Sequence, residues 1–410
     1  MRVSPETSEM RSSTTCVDLL EMESNAYMYI DGVTTVTFFD GPVPVELLKD
    51  RLVKVVQASP WLAGKLVKKG KKVQMEFDSA PETEHVLDLL LHQIELDISP
   101  QMSFEAMMKK VKGSQAHVIG GFALLRKGLP YTRMTVAKKD GNNWALIFSI
   151  SHVVADGYTY YKVLGMLSAK KEVAPFNPTR HHEFVAKLKA AVGPKVYSTY
   201  MGSVGLIANY VGNMIFGAKP RVRAFYVDAD KVEAAKRKSS GTEFVSTNDI
   251  LTAFWGRLSG ARLLEMSVNF RGRFPELAAD DAGNYEGCIL FPTADFADPS
   301  NIRKALQRKD GKFQSTQEQP LPGFWTMRKC KYRIITNWSS FFSQLDFDGC
   351  TQTLHIPYLE PKEIPTDILV IFRPTIDTYG VYIVTQKLSD AALTTGQDSL
   401  MGKQILPPAK

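Results

Sequence analysis

The stretch from Ser149 to Leu167, SISHVVADGYTYYKVLGML, carries the side chains best suited to chemistry. His152 ends a strongly apolar run, Asp156 follows four residues later, and Gly157 comes next. A neutral imidazole can accept a proton near pH 7, and a glycine permits a tight turn after it. The spacing leaves two interpretations open: His152 is a general base, or it is a core histidine that precedes a turn.

The residues before His152 predict the strand that positions it. Over residues 144–154, side chains at alternate positions share one face of a strand. His152 falls on the same face as four apolar side chains, namely Trp144, Leu146, Phe148 and Ile150. The imidazole is therefore expected at the end of a strand on a mostly buried face, where burial favours its neutral form. The following run, GYTYYKVLGMLSA, predicts a helix.

The length and composition of the chain predict two mixed domains. A chain of 410 residues is too long for one ordinary core. Its 44% hydrophobic and 23% charged residues are typical of a folded globular protein. Predicted helices and strands intermix in both halves, which indicates an α/β or α+β fold. The proline-containing middle predicts a crossover segment at 176–220, between a first domain at 1–175 and a second at 221–410.

Charge and cysteine usage restrict the partners of the chain. The net charge of +7 favours anionic partners, such as phosphate-bearing small molecules. Lysines and arginines are scattered and the sequence shows no nucleic-acid-binding motif, so no nucleic-acid partner is expected. The four cysteines are far apart, which predicts reduced thiols in the cytoplasm and neither a disulfide framework nor a metal site.

No strong membrane signal is present in the sequence. Residues 1–16 lack the apolar core of a signal peptide. The nearest approach to a spanning segment, residues 201–218, is interrupted by Asn209, Asn213 and several glycines. Two interpretations of this segment stay open: it is a buried helix, or it is a surface that makes peripheral contact with lipid.

Five segments in chain order resemble motifs of the CoA-dependent acyltransferase superfamily, which includes chloramphenicol acetyltransferase and the condensation domains of peptide synthetases. The closest resemblance is to the plant-type BAHD acyltransferases. His152 to Gly157 resembles their H-x-x-x-D-G motif. The last segment departs from the family's DFGWG element, because it reads DFDG and lacks the tryptophan and one glycine, so a divergent branch is predicted. The other four segments are SPWLAGKLV at 59–67, VSTNDILTAFWGRL at 245–258, VNFRGRFPELAADDAGNYEGCIL at 268–290 and ITNWSSFFSQLDFDG at 335–349.

The resemblance implies a fold and a reaction. The fold would consist of two similar chloramphenicol-acetyltransferase-like domains, each a mixed β-sheet with helices, with an active-site channel between them. The reaction would be O- or N-acylation by acyl-CoA as co-substrate, with no bound cofactor, as is typical of secondary metabolism. His152 would be the general base that deprotonates the acceptor hydroxyl or amine before it attacks the thioester. The family is often monomeric, so a monomer is expected.

The resemblance also implies roles for residues around the proposed base. Asp156 would point away from the substrate and form a bidentate pair with Arg271, or as second choice with Arg273, which would hold the turn. Thr336 and Trp338 would face the channel and contact the oxyanion or the acceptor. The alternatives are a plain turn aspartate, a solvated pair of arginines and a tryptophan that only packs.

The residues expected to bind CoA lie in a different part of the sequence from His152, between 236 and 247. Ser246 and Thr247, at the start of a predicted helix, would offer hydroxyls or backbone amides near the CoA entrance. Three basic residues would meet the 3′-phosphate of CoA, and they are Lys236, Arg237 and Lys238. The alternative for this basic run is a solvated helix face.

Two further functions stay open. A condensation-type enzyme would use a carrier-protein thioester, although such domains usually carry a doubled histidine where this chain has Ser151 before His152. A catalytically inactive homologue would keep the fold and bind an acyl ligand or CoA. The acceptor is not predicted beyond a hint of lipophilic character, which comes from GYTYYK and the apolar residues 201–218.

Overall fold

Two large β-sheets with their helices form the framework of the molecule. The computed structural model describes residues 14–138, 141–239, 244–307, 310–316, 320–395 and 399–407. The strands within these ranges are β1 Thr14–Asp18, β2 Val33–Asp40, β3 Lys65–Lys69, β4 Lys72–Asp78, β5 Leu91–Glu95, β6 Thr132–Lys138, β7 Asn143–Ile150, β8 Arg221–Val227, β9 Leu263–Asn269, β10 Glu286–Pro292, β11 Tyr332–Asn337, β12 Thr351–Tyr358, β13 Ile368–Phe372, β14 Gly380–Thr385 and β15 Met401–Gln404. The helices are α1 Val45–Ala58, α2 Thr83–Leu90, α3 Phe104–Gly113, α4 Gly121–Lys127, α5 Gly157–Met166, α6 Phe184–Val192, α7 Pro194–Tyr200, α8 Val204–Phe216, α9 Ala229–Ser239, α10 Thr247–Leu258, α11 Pro299–Leu306, α12 Phe324–Met327 and α13 Asp390–Thr394.

The two large sheets are both mixed. The first has five strands in the order β12-β2-β7-β6-β5, and the second has seven in the order β10-β9-β11-β13-β14-β8-β15. β5 and β6 are parallel in the first sheet, and β11 is parallel to both β9 and β13 in the second. A third sheet of three antiparallel strands has the order β1-β4-β3. The predicted class, with helices and mixed sheets in both halves, is confirmed.

Local sequence patterns account for several of these elements. α1 buries four apolar residues at helical spacing, and this face packs on the core: Leu48, Leu52, Val55 and Val56. β3 and β4 form a hairpin that turns at Gly70, where φ is +63° and a side chain would be strained.

The segment that carries His152 is anchored on both sides. β7 lies in the middle of the first sheet, and every residue of this strand after Asn143 is buried. α5 begins directly after the turn, and most of its residues from Thr159 to Met166 are buried. A residue between two such elements has little freedom to move, so its side chain is aimed by the framework.

One strand crosses between the predicted domains. β12 comes from the C-terminal half of the chain, yet it pairs with β2 as an edge strand of the first sheet. His355 in β12 contacts the Thr37 hydroxyl at 2.8 Å and the Tyr161 hydroxyl at 3.0 Å through its two ring nitrogens. Sheet membership therefore does not follow the division of the chain at 176–220, and the domain boundaries stay a prediction.

Candidate active site

His152 follows β7 and lies between the two large sheets. Its side chain is 23% exposed, so the imidazole is mostly buried but can still be reached. The turn that carries it is fixed by the backbone at both ends. Ser151 N–H donates to the Tyr131 carbonyl at 2.8 Å, and Asp156 N–H donates to the Gly283 carbonyl at 3.2 Å.

Asn284 fixes the tautomer of the imidazole. His152 Nδ1 lies 3.1 Å from Asn284 Oδ1. The Asn284 amide nitrogen donates instead to the His152 carbonyl and to a Glu23 carboxylate oxygen, both at 3.0 Å. Because the amide oxygen is left to face the ring, Nδ1 carries the proton and donates it to that oxygen, and the lone pair lies on Nε2. An imidazole in this state can accept a proton at Nε2.

A buried ion pair holds Asn284 in place. Arg180 Nε lies 2.9 Å from Glu23 Oε2, and neither side chain is exposed to solvent. The other Glu23 oxygen accepts the Asn284 backbone N–H at 3.0 Å. Arg180 also donates to the Val154 carbonyl in the turn and to the Ala282 carbonyl in the segment that carries Asn284. The sequence did not predict these roles, because Glu23 is 261 residues from Asn284 and no local pattern joins them.

Asp156 and Arg271 form a second buried ion pair, behind the turn. Arg271 Nη1 donates to Asp156 Oδ2 at 2.7 Å, and each side chain is 2% exposed. Asp156 Oδ1 accepts the Thr159 N–H at 2.9 Å and so caps the N-terminus of α5. The two side chains are joined by one hydrogen bond rather than by the bidentate pair that was expected, because Oδ1 serves the cap.

Arg271 also ties this turn to the second half of the molecule. Its Nε donates to the Asp281 carbonyl at 2.8 Å, and its Nη2 donates to the Gly283 carbonyl at 2.9 Å. Arg273, the second choice, does not bond to Asp156. Its guanidinium donates to two other carbonyls at 3.1 Å each, those of Asn269 and Leu306.

A cavity of about 220 Å³ opens on His152. Residues before β2 line one side of it, and residues of β9, β10 and β11 line the other, so the cavity lies between the two halves. Much of its wall is apolar, with Met22, Met28, Ile30, Ile334, Ile364 and Ile368. We call this space the His152 cavity. Its size and its contact with Nε2 suit a small partly apolar molecule.

Glu286 is the acidic residue next to His152 in this cavity. Its Oε1 lies 3.8 Å from His152 Nε2, which is too long for a hydrogen bond. Burial raises the pKa of the Glu286 carboxyl, and the neighbouring His152 opposes this shift. Because Asn284 bonds to Nδ1, Glu286 lies at the nitrogen where an acceptor would be deprotonated.

Glu265 and Cys288 face the same cavity from β9 and β10. Glu265 accepts hydrogen bonds from the Tyr332 hydroxyl and from the Cys288 thiol, the latter at 3.1 Å. Burial raises the pKa of the Glu265 carboxyl, and burial together with the Glu265 charge raises the pKa of the Cys288 thiol. Cys288 is therefore a thiol that donates a hydrogen bond and not a nucleophilic thiolate.

Thr336 and Trp338 lie at and just beyond the end of β11. Thr336 shares a strand face with Ile334, which lines the His152 cavity. Trp338 is 8% exposed and contacts Tyr161 edge to face, with ring centroids 6.0 Å apart. No hydrogen bond joins Thr336 or Trp338 to His152 in the part of the chain that the structure describes. Their contact with an oxyanion or an acceptor stays a prediction.

The predicted CoA contact at Ser246 and Thr247 lies at the start of α10. The Ser246 hydroxyl accepts the Asp249 N–H at 3.3 Å, and Asp249 Oδ2 accepts the Ser246 N–H at 2.8 Å, which forms a capping box. Arg303 Nη2 in turn lies 2.5 Å from the Asp249 carboxylate. The Ser246 hydroxyl and the Asp249 carboxylate are already engaged with each other, so a CoA phosphate would have to bind beside them.

The predicted basic run, which consists of Lys236, Arg237 and Lys238, lies in the last turn of α9. Lys236 pairs with Glu233 at 2.7 Å on the same helix. Lys238 lines a cavity of about 300 Å³ that Ile250 and Phe254 of α10 also line. A phosphate contact at these residues stays a prediction. Among the described residues, no group of histidine, cysteine, aspartate and glutamate side chains could hold a metal ion.

Three solved structures share this architecture over nearly their full length. TRI101 of F. graminearum, complexed with ethyl coenzyme A, has a TM-score of 0.62 at 11% identity, over 96% of this chain and 100% of that one. Vinorine synthase has a TM-score of 0.61 at 13% identity, over 98% of this chain and 96% of that one. The first condensation domain of the CDA synthetase has 0.58 at 14% identity, over 90% and 93%.

The chain has their fold. The predicted fold class, two mixed α/β domains, is thereby confirmed. At the level of sequence, neither a protein-family model nor a curated protein matches the chain.

Proposed function

We propose that the protein is an acyl-CoA-dependent O- or N-acyltransferase with His152 as its general base. The observation that carries this proposal is the state of the imidazole, whose Nδ1 proton is bound by Asn284 while Nε2 faces a cavity between the two halves. TRI101 has been solved with ethyl coenzyme A, and in F. sporotrichioides with coenzyme A and T-2. The shared fold supports a CoA thioester as the acyl donor here.

In the proposed reaction the acceptor O–H or N–H gives its proton to His152 Nε2 as the acceptor attacks the thioester carbonyl. The new C–O or C–N bond forms, and the carbonyl oxygen carries the charge of a tetrahedral intermediate. Its collapse breaks the C–S bond, and the CoA thiolate leaves with the proton from Nε2. This returns His152 to its neutral state, so one imidazole serves the whole cycle.

The other predicted residues support this proposal in separate ways. The Asp156–Arg271 pair would hold the turn that aims His152, without contact to either substrate. Thr336 and Trp338 would stabilise the oxyanion or contact the acceptor. CoA would bind through Ser246 and Thr247 at the start of α10 and through the basic residues of α9, namely Lys236, Arg237 and Lys238.

Release of CoA thiol from a panel of acyl-CoA donors and acceptors tests the proposal. The His152→Ala variant should lose about 10²- to 10⁴-fold in kcat, because proton transfer in the transition state depends on the imidazole. His182→Ala is a matched control, since His182 is exposed and does not line the cavity. Turnover that does not depend on His152 would show that the assignment is wrong.

A condensation-type reaction is the second candidate. The fold similarity to the first condensation domain of the CDA synthetase, with a TM-score of 0.58, favours keeping it. The same acyl group offered on CoA and on a carrier-protein phosphopantetheine distinguishes the two. Turnover with the carrier-bound thioester alone would replace the first candidate with the second.

We also propose that the segment 201–218 makes peripheral contact with lipid. α8 occupies most of this segment and exposes one apolar face, with Val204, Ile207, Val211, Met214, Ile215 and Phe216. α12, which packs against α8, exposes Phe324 and Trp325 beside it. Residues 194–227 and 320–340 contain lysines and arginines but no aspartate or glutamate, and two such basic segments suit anionic phospholipids. The protein is still expected to be a monomer and to be located in the cytoplasm.

A further inference from the structure

The His152 cavity carries three glutamates but no lysine or arginine among the described residues. The glutamates are Glu265, Glu286 and Glu363. Glu363 accepts the Asp31 backbone N–H at 2.7 Å, so its carboxylate is already bound. The cavity therefore offers negative charge in an otherwise apolar surrounding.

Glu286 is the carboxylate that is free to bind a ligand. In the described part of the chain it forms no hydrogen bond, and its ionic contact is the one with His152 Nε2 at 3.8 Å. Glu265, by contrast, accepts from the Tyr332 hydroxyl and the Cys288 thiol. The Glu286 side chain is 25% exposed, so water can reach the carboxylate, and a ligand that supplies N–H donors would take the place of that water.

Tyr200 provides an independent indication of a polar ligand group. It lines the same cavity and is 8% exposed. Its hydroxyl is fully buried near the Cys288 backbone but makes no hydrogen bond there of acceptable geometry. Buried hydroxyls nearly always have a partner. A donor or acceptor on a bound molecule would supply the partner that Tyr200 lacks.

Anionic, neutral and cationic ligands are not equally suited to a cavity lined by Glu265, Glu286 and Tyr200. An anion would be repelled by the glutamates, and a neutral alcohol would leave the Glu286 charge uncompensated. An ammonium group has three N–H donors and can bond to a carboxylate and to a tyrosine oxygen together. Burial raises the pKa of the Glu286 and Glu265 carboxyls, and a nearby ammonium would favour their charged forms.

We propose that the acceptor is an amino alcohol or a diamine with an apolar body, whose ammonium group binds Glu286 and Tyr200. Its second group, a hydroxyl or a neutral amine, lies at His152 Nε2 and is acylated. The apolar wall of the cavity binds the carbon chain between them. This inference rests on the proposed function, because it names the acceptor class of the same site.

The test uses one carbon chain with three charges. Hexanol, aminohexanol and hydroxyhexanoic acid serve as neutral, cationic and anionic acceptors, and CoA release with a panel of acyl-CoA donors gives kcat/KM for each. Aminohexanol should exceed hexanol by roughly tenfold or more, and hydroxyhexanoic acid should be the poorest of the three.

Substitutions in the cavity assign this preference to named residues. Glu286→Gln keeps the shape of the side chain but removes its charge. The ratio of kcat/KM for aminohexanol to kcat/KM for hexanol should therefore fall to about one, mainly because KM for aminohexanol rises. Tyr200→Phe should lower the preference in the same direction but by less. Glu46→Gln is the matched control, because Glu46 lies on the surface of α1 and pairs with Lys49.

The outcomes separate this inference from the proposed function. His152-dependent turnover with equal kcat/KM for all three acceptors, or a preference that survives Glu286→Gln, would overturn the inference and leave the acyltransferase in place. If no acceptor is turned over, calorimetric titration of the wild-type protein with aminohexanol and with hexanol tests for the ammonium site directly. Tighter binding of aminohexanol that is lost in Glu286→Gln supports an ammonium site, and equal or absent binding overturns it.

Discussion

The imidazole of His152 is oriented by an amide and not by a carboxylate. A carboxylate at Nδ1 would stabilise the imidazolium, whereas the Asn284 amide holds the tautomer without adding a charge. The nearest carboxylate, Glu286, lies at Nε2 instead. The amide therefore leaves Nε2 to face the acceptor, and the Glu286 carboxylate lies beside that nitrogen.

Replacement of Asn284 by alanine tests this orientation. We expect kcat to fall about tenfold or more, because Nδ1 loses its acceptor and the ring is free to turn. KM should change little, because the amide does not contact the acceptor. Steady-state kinetics on protein shown to be folded provide the measurement. Asn301→Ala is the control, since Asn301 lies on α11 and its side-chain amide donates to the Ala294 carbonyl at 3.4 Å. An unchanged kcat would mean that Asn284 does not position the base.

The sequence predicted the local part of this site and missed the distant part. His152 and Asp156 lie four residues apart, so the alternation of the strand and the spacing of the turn are enough to predict both. Asn284 is 132 residues away from His152, and its side chain is chosen by tertiary packing. The sequence contained one signal for Asn284, because this residue lies within 268–290, a segment that resembles a family motif. Glu23 had none, because a lone buried glutamate has no local pattern.

The turn between β7 and α5 is the element on which the site depends. Asp156 performs two tasks there, since one oxygen caps α5 and the other binds Arg271 from the second half of the molecule. The two halves are thereby joined directly behind His152. A change at Asp156 should therefore affect stability as well as activity.

Replacement of Asp156 by alanine measures this coupling. Loss of one partner leaves a buried guanidinium without its charge partner, so the free energy of unfolding should fall by roughly 3–5 kcal/mol. Urea denaturation followed by fluorescence gives the value. Asp50→Ala is the matched control, because Asp50 pairs with Lys54 on the exposed face of α1 and should matter little. Equal effects of the two substitutions would show that the buried pair contributes no special stability.

Elements with a clear local pattern of apolar residues could be predicted from the sequence, and these include β11, which pairs with the distant strands β9 and β13. α1, α5, β2 and the β3–β4 hairpin carry their patterns within a few residues. β5, β10 and β12 were not predicted, and of these β12 pairs with β2, a strand from the other end of the chain. Pro357 in β12 argues against a central strand, and β12 is in fact at a sheet edge, where a missing N–H is tolerated.

At the scale of the whole molecule, α8 presents two different faces. Tyr210 on its inner face lines the His152 cavity, whereas Phe216 at its end is 87% exposed. Within the described residues, no helix is long and apolar enough to cross a membrane. The proposed lipid contact of α8 would place the cavity close to the membrane surface.

Vesicle sedimentation tests this arrangement. The protein should bind vesicles that contain phosphatidylserine more tightly than vesicles of phosphatidylcholine alone, and added salt should weaken the binding. Phe216→Ser should reduce binding about tenfold or more, because a buried aromatic side chain contributes about 2 kcal/mol. Phe244→Ser is the control, since Phe244 is 72% exposed but far along the chain from α8. Binding that is equal in both variants would exclude α8 as the contact.

The position of β12 has a consequence for how the chain is made. β2 is paired on one side by β7, but its other edge is covered only by β12, the strand that ends at Tyr358. During synthesis the first sheet therefore stays one strand short until most of the polypeptide has left the ribosome. Until then the nascent chain carries an open sheet edge, which is a template for wrong pairing. The contacts of His355 with Thr37 and Tyr161 form only at that late step.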